Sequence, residues 1–370
     1  ALSGLVYLFT ENDKQSARVS DSYRVEKINL KRRNPNLWKA SSRIYGPSDT
    51  LVNVDDLKEQ QDTALANNDF AEANRIANEI RRAQETFTPI ELMVDQTGEE
   101  PVLAINIDGS YATAKLGEWS AWTPIEFSML GGLVPVPGYT RFRFVSENPF
   151  EVYAVPVQFD PWAPVSPIST PDDAAADLAD AIGPYFTQGF ADAYKAYKGG
   201  VLDTSGFINE SDMVLEERIK MMHYGLDQID NTGGLLFLYT GSLDMRCHML
   251  WHTSDELHPH QEEHGEYLGV PYEEQIDRVY TQVDSMLGEL VARVSLMEEK
   301  WGEEIEIIVM SDHGFAPFRR KMHVNDWLVD EGYLVLKSGY DKTSSLGLAG
   351  EEIDCNKNIL LPLMFSFISI

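Results

Sequence analysis

The chain has 370 residues, 43% hydrophobic and 24% charged, enough for a large α/β domain with insertions or for two ordinary domains without disulfide staples. Thirty Lys and Arg against 59 Asp and Glu give a net charge of −29, a field that repels phosphate backbones and anionic lipid headgroups. A nucleic-acid polymer and a membrane surface are therefore poor partners, and an anionic substrate must be recognised by something other than bulk charge, for which a bound metal cation is the usual means.

Cys247 and Cys355 are too few and too far apart for a disulfide framework or a Cys-type zinc site, and they leave the compartment open. The opening ALSGLVYLFT lacks the basic start and long apolar run of a signal peptide. The most apolar stretch, 359–370, is broken by Pro362 and falls short of the roughly 18 residues of a membrane span.

Residues 1–53 mix short β-prone runs with polar turns and carry no clear period, which predicts an irregular N-terminal part of an α/β domain. In 54–87, Leu57, Ala64 and Leu65, then Phe70, Ala73, Ile76, Ala77 and Ile80, recur at helical spacing around Asn67, Asn68 and Asp69. That pattern predicts a helical hairpin packed on its own domain. From 88 to 157 the period becomes two, with Asp108-Gly109 as a hairpin turn, so this segment is β-rich and antiparallel. The Pro-rich VQFDPWAPVSPISTPDD that follows reads as an extended surface connection.

Residues 158–340 follow α/β logic. Helices expected at about 172–198 and 210–228 precede the apolar run 235–240. A long amphipathic helix, with Ile276, Val279, Tyr280, Val283, Leu287, Leu290, Val291 and Val294 on one stripe, precedes the run 305–310. Unbroken apolar strands alternating with helices predict a mostly parallel sheet sandwiched by helices, with the hairpin and the β-rich segment as insertions. Residues 341–370 form an atypical C-terminal tail.

Ligands bind beyond the carboxyl ends of the strands of an open parallel sheet. GLLFLYT leads into Asp244 and His248, four residues apart, and IEIIVM leads directly into Asp312 and His313. Each strand thus delivers one carboxylate and one imidazole to the same edge. This mixed ligand set suits zinc, manganese or iron, and the four groups could hold two divalent ions.

SDHGF at 311–315, LDMRCHMLW at 243–251 and NDWLVDEGYLVLK at 325–337 resemble the alkaline phosphatase superfamily, and within it the type I phosphodiesterase and nucleotide pyrophosphatase-like phosphohydrolases. FEVYAVPVQFDPWAPVSPIS at 150–169 and IGPYFTQGFADAYKAYKGG at 182–200 extend the likeness over about residues 100–337. The resemblance implies an alkaline phosphatase-like fold and two metal ions, usually zinc, with manganese as a second choice. It places Asp244 and His248 on one ion and Asp312 and His313 on the other, acting on a small phosphate ester or nucleotide-like substrate. The family's first-strand Asp and its Ser or Thr nucleophile have no match here, since Thr10, Asp13 and Ser16 lie in a polar stretch with no buried strand before it. A further His that completes the first site is also unmatched. The chain therefore reads as a middle section of a longer enzyme, carrying a metal site but no assigned catalytic nucleophile.

Other polar residues have blander readings. His258, His260 and His264 fit a solvated loop, and His323 fits a packed or hydrogen-bonded position in the loop before Trp327. His252 and Asp255 could orient ligands. Cys247 reads as a small buried residue, and Arg246 as the partner of a carboxylate. The alternatives to a phosphohydrolase are a non-catalytic, metal-stabilised binding or scaffold protein, and sulfatase or phosphomutase chemistry on the same scaffold. Oligomeric state is not legible.

Overall fold

The computed structural model of the chain describes residues 4–9, 23–28, 31–34, 36–49, 51–67, 69–147, 149–188, 191–259, 264–337 and 367–369. It is a mixed α/β structure whose sheets dominate the first half and whose helices dominate the second.

Strands β1 (Gly4–Phe9), β2 (Tyr23–Ile28), β3 (Lys31–Asn34) and β4 (Leu37–Ser48) form where the sequence shows no period and predicts irregular chain. In β4 the fully buried positions are only Ala40 and Ile44, so its alternation is weak. Its register comes instead from a long antiparallel ladder with the following β-rich segment. Helices α1 (Asp55–Ala66) and α2 (Phe70–Gln84) make the expected hairpin. Asp69 starts α2 by accepting a hydrogen bond from the Glu72 N–H at 3.1 Å, and Ala64, Ala73 and Ile76 pack between the two helices with Leu57 and Ile80.

Next come β5 (Glu85–Asp95), β6 (Val102–Ile107) and β7 (Ser110–Lys115), which with β3 and β4 build a five-stranded antiparallel sheet in sequential order. The β6–β7 turn has positive φ at both Asp108 (48°) and Gly109 (88°), the geometry that selects Asp-Gly in a two-residue hairpin. Strands β8 (Thr123–Met129), β9 (Val134–Thr140), β10 (Phe142–Glu147), β11 (Phe150–Ala154) and β12 (Gln158–Phe159) complete the β-rich half. Of these, β12, β9 and β8 pair antiparallel, while β10 and β11 join β1 and β2. The β1–β2 ladder is the one parallel strand pair among the described residues.

Alternate residues of β5 and β6 (Ile90, Leu92, Val94, Leu103, Ile105, Ile107) meet Phe127, Phe142, Phe144 and Val152 in one core. Ile105→Val removes one methylene from this fully buried site and is expected to cost about 1 kcal/mol, read as a shift in the urea midpoint at unchanged slope.

The helical half contains α3 (Ala174–Ile182), α4 (Tyr194–Lys198), α5 (Thr204–Gln228), α6 (Gly241–Ser254), α7 (Gln275–Trp301) and α8 (Val324–Asp330). The stripe of α7 is buried at Ile276, Val279 and Val294, and Gly302, at φ 74°, ends the helix. Among the described residues no helix is long and apolar enough to cross a membrane.

The apolar runs 235–240 and 305–310, expected as strands of a parallel sheet, enter no strand ladder among the described residues. Leu236, Leu238 and Ile305 pack on Met222 and Leu226 of α5 and on Met286 and Val294 of α7. Leu235 is 91% exposed, Phe237 73% and Met310 76%. In 235–240 alternate residues are therefore covered and the others open, and in 305–310 only Ile305 is partly covered, whereas unbroken apolar character is that of a strand covered on both faces.

Candidate metal centre

The run 235–240 ends at the start of α6, and the four-residue spacing of Asp244 and His248 puts both side chains on one face of that helix. His313 arrives from the loop that follows the second run. Asp244 Oδ1 lies 3.3 Å from His248 Nε2 and 3.6 Å from His313 Nε2, and the three ligand atoms all fall within 4.8 Å of one another. Asp244 Oδ1 is buried and accepts no hydrogen bond. A buried carboxylate oxygen without a donor is costly, and a cation shared with two imidazoles would satisfy it.

The tautomer of His313 favours the same use. Its Nδ1 sits 3.1 Å from the Gly314 carbonyl oxygen, which can only accept, so Nδ1 donates and Nε2 is left with a lone pair toward Asp244. Phe315 holds both rings edge to face, with centroids 4.9 Å from His248 and 5.3 Å from His313, and itself stacks on Trp251. The opposite side is open, with the His248 and His313 side chains nearly half exposed. One carboxylate and two imidazoles with an open side fit a zinc or manganese site able to admit a substrate oxygen. Burial and the carboxylates Asp244, Asp312 and Asp192 push up the pKa of the Tyr239 hydroxyl, so this edge carries a negative field that attracts cations.

Asp312 stands apart from the three. Its side chain is 80% exposed, one oxygen accepts from the His313 N–H at 3.1 Å, and the other is 3.7 Å from His313 Nε2. Asp255 does not touch the ligands. It makes a two-pronged pair with Arg319, both contacts at 2.7 Å, which ties the loop carrying His313 to the end of α6. His252 lies against His258 with the rings tilted and their centroids 5.7 Å apart, and His258 Nε2 lies 3.1 Å from the Phe318 carbonyl oxygen. His264 is exposed and His260 lies outside the described residues. The Nδ1 of His323 is buried without a partner, but the residue is not in the cluster.

Cys247 is buried beside Asp244, and burial first and then that carboxylate push its thiol up to about 11, which makes it inert as read. Arg246 is fully buried, bonded to Ser211, Asp212 and Gln282, and so is closed to a phosphate. Sequence reading missed Phe315 as a clamp on both imidazoles and Arg319 as the tether of their loop. Phe315 belongs to the SDHGF motif, but no spacing rule assigns either role.

Comparison with known proteins agrees with this chemistry. Residues 161–359 match the family model described as type I phosphodiesterase / nucleotide pyrophosphatase, a span that begins in the Pro-rich connection and includes Asp244, His248, Asp312 and His313. No curated protein and no solved structure matches the chain. Matched over more than half of its length on the part that carries the carboxylate–imidazole cluster, the chain belongs to the type I phosphodiesterase / nucleotide pyrophosphatase family.

Proposed function

We propose that residues 158–340 form the metal-binding core of a phosphoester hydrolase that acts on a small phosphate ester or nucleotide-like substrate. The helical hairpin 54–87 and the β-rich segment 88–157 are units inserted beside that core. On this reading the runs 235–240 and 305–310 belong to the parallel sheet of an alkaline phosphatase-like fold. The observation that carries the proposal is the donor-free Asp244 Oδ1 facing two imidazole nitrogens.

Asp244 and His248 hold one divalent ion, and Asp312 and His313 a second. Their closeness, with His313 Nε2 3.6 Å from Asp244 Oδ1, supports a compact pair. Bound zinc or manganese ions supply Lewis-acid charge for the phosphoryl and leaving-group oxygens. Asp244 brings the fixed negative charge, His313 keeps a lone pair outward through its bond to Gly314, and Phe315 with Trp251 shields one side of the imidazoles from water. The cations, rather than a protein of net charge −29, recognise the anionic substrate. No residue of this chain is assigned as the attacking nucleophile.

Metal analysis after equilibrium dialysis tests the ligand assignment. The protein should bind about two equivalents of zinc or manganese, and the combined Asp312→Ala and His313→Ala variant about one. A single equivalent in the unaltered protein would leave a mononuclear site at Asp244, His248 and His313. Unchanged stoichiometry in the double variant would overturn the second pair.

A further inference from the structure

Helix α6 is gripped from behind. Successive residues of a helix are about 100° apart, so Arg246, two positions from both Asp244 and His248, points about 200° away from them. On that rear face Ser242, Arg246, Leu250 and Thr253 form a buried stripe. The Arg246 guanidinium donates to Ser211 Oγ at 2.8 Å and to Asp212 on α5, and to Gln282 Oε1 on α7 at 3.0 Å. Asp212 is braced in turn by Arg278 at 2.7 Å and Gln282 at 3.1 Å. Ser242 donates to Asp192 at 3.4 Å and Thr253 to the Tyr272 carbonyl at 2.9 Å, so each end of the stripe is also tied.

We propose that Arg246 is a positioning residue for the metal centre, fixing the rotation of α6 so that Asp244 and His248 meet His313. The proposal rests on the metal reading above. A ligand atom about 6 Å from the helix axis moves by about 1 Å for each 10° of rotation, enough to spoil a coordination distance. A planar guanidinium with partners on two neighbouring helices resists that rotation in a way that apolar packing, which can slide, does not. Buried ion pairs add little net stability, so this network is better explained by the register it imposes than by the energy it supplies.

Cobalt(II) titration read by visible absorption tests this, because the d–d bands report coordination geometry as well as occupancy. Arg246→Gln should keep the far-UV spectrum of the apo protein, since Asp212 retains Arg278. It should also weaken cobalt binding on the order of tenfold or more and change the band shape. Arg246→Lys, which restores the charge and a single bond, should recover part of the affinity. Arg293→Gln removes another α7–α5 ion pair, that with Asp227, which lies outside the Arg246 network and bears no ligand, and should leave the cobalt spectrum unchanged.

If Arg246→Gln fails to fold, Ser211→Ala combined with Gln282→Leu removes two of the three partners and is read by the same criteria. Unaltered affinity and spectrum in the Arg246 variant, or an equal loss in Arg293→Gln, would overturn the positioning role while leaving the metal reading intact. Unaltered protein that binds no cobalt would overturn both.

Discussion

Asp244→Ala should remove the metal ion that Asp244 holds and should affect stability with opposite signs in the presence and absence of metal. Asp244 contributes the one carboxylate of the three-residue cluster, and its removal leaves the two imidazoles without the carboxylate they share. An affinity loss of at least about 100-fold is expected for such a first ligand, beyond the range typical of outer partners. In the unaltered protein, metal at 100 times its dissociation constant should stabilise the fold by about 2.7 kcal/mol, and the variant should lose that increment. In EDTA the change should be neutral or stabilising, because a buried carboxylate oxygen with no donor costs about 1–3 kcal/mol. A merely structural Asp would make the variant weaker in both conditions. Thermal unfolding with EDTA and with zinc separates the cases, and identical shifts in the two would remove Asp244 from the site.

What was legible in the sequence follows the range of the interactions that fix it. The α1–α2 hairpin, the alternation in β5 and β6 and the Asp108-Gly109 turn are set by neighbours within a few residues and appear as read, while α7 forms with only part of its stripe buried, Tyr280 and Val291 being exposed. Asp244 and His248 share a helix face by spacing alone. Their meeting with His313 was expected from the unbroken apolar runs that precede the two motifs and from the resemblance, and not from spacing. Strands β1 to β4 were missed because their order is imposed by distant partners, such as Trp38 opposite Val94. Asp312 and His313 are equals in the sequence, yet His313 enters the cluster while Asp312, at a bend in the chain, is left exposed. The partners of Arg246 lie 34 to 36 residues away on two other helices, beyond any local pattern.

The protein should become less stable as pH rises from about 4.5 to 7, and Glu217→Gln should remove much of that loss. Burial holds the Glu217 carboxyl up at about 7, against the lowering influence of Arg218, the Phe186 N–H, Arg141 and Lys220. Across that window the unfolded chain releases a proton that the folded protein keeps, so stability present at pH 4.5 is lost by pH 7. At about 1.4 kcal/mol per pH unit the loss is about 3 kcal/mol. The buried Glu210 and Asp192 are raised too, chiefly by burial, and act with the same sign. Asp212 opposes them. Its pKa is held below 3.8 by Arg278 and Arg246 in spite of burial, so its contribution is present above that value and lost as pH falls through the folded one. In Glu217→Gln the amide oxygen can still accept from the Phe186 N–H, as Oε1 does at 3.1 Å, without the burden of a buried charge. Urea midpoints measured from pH 4 to 8 should coincide for the two proteins near 4.5 and diverge in favour of the variant by up to about 3 kcal/mol at pH 8. Parallel curves would show that Glu217 titrates alike in the folded and unfolded chain.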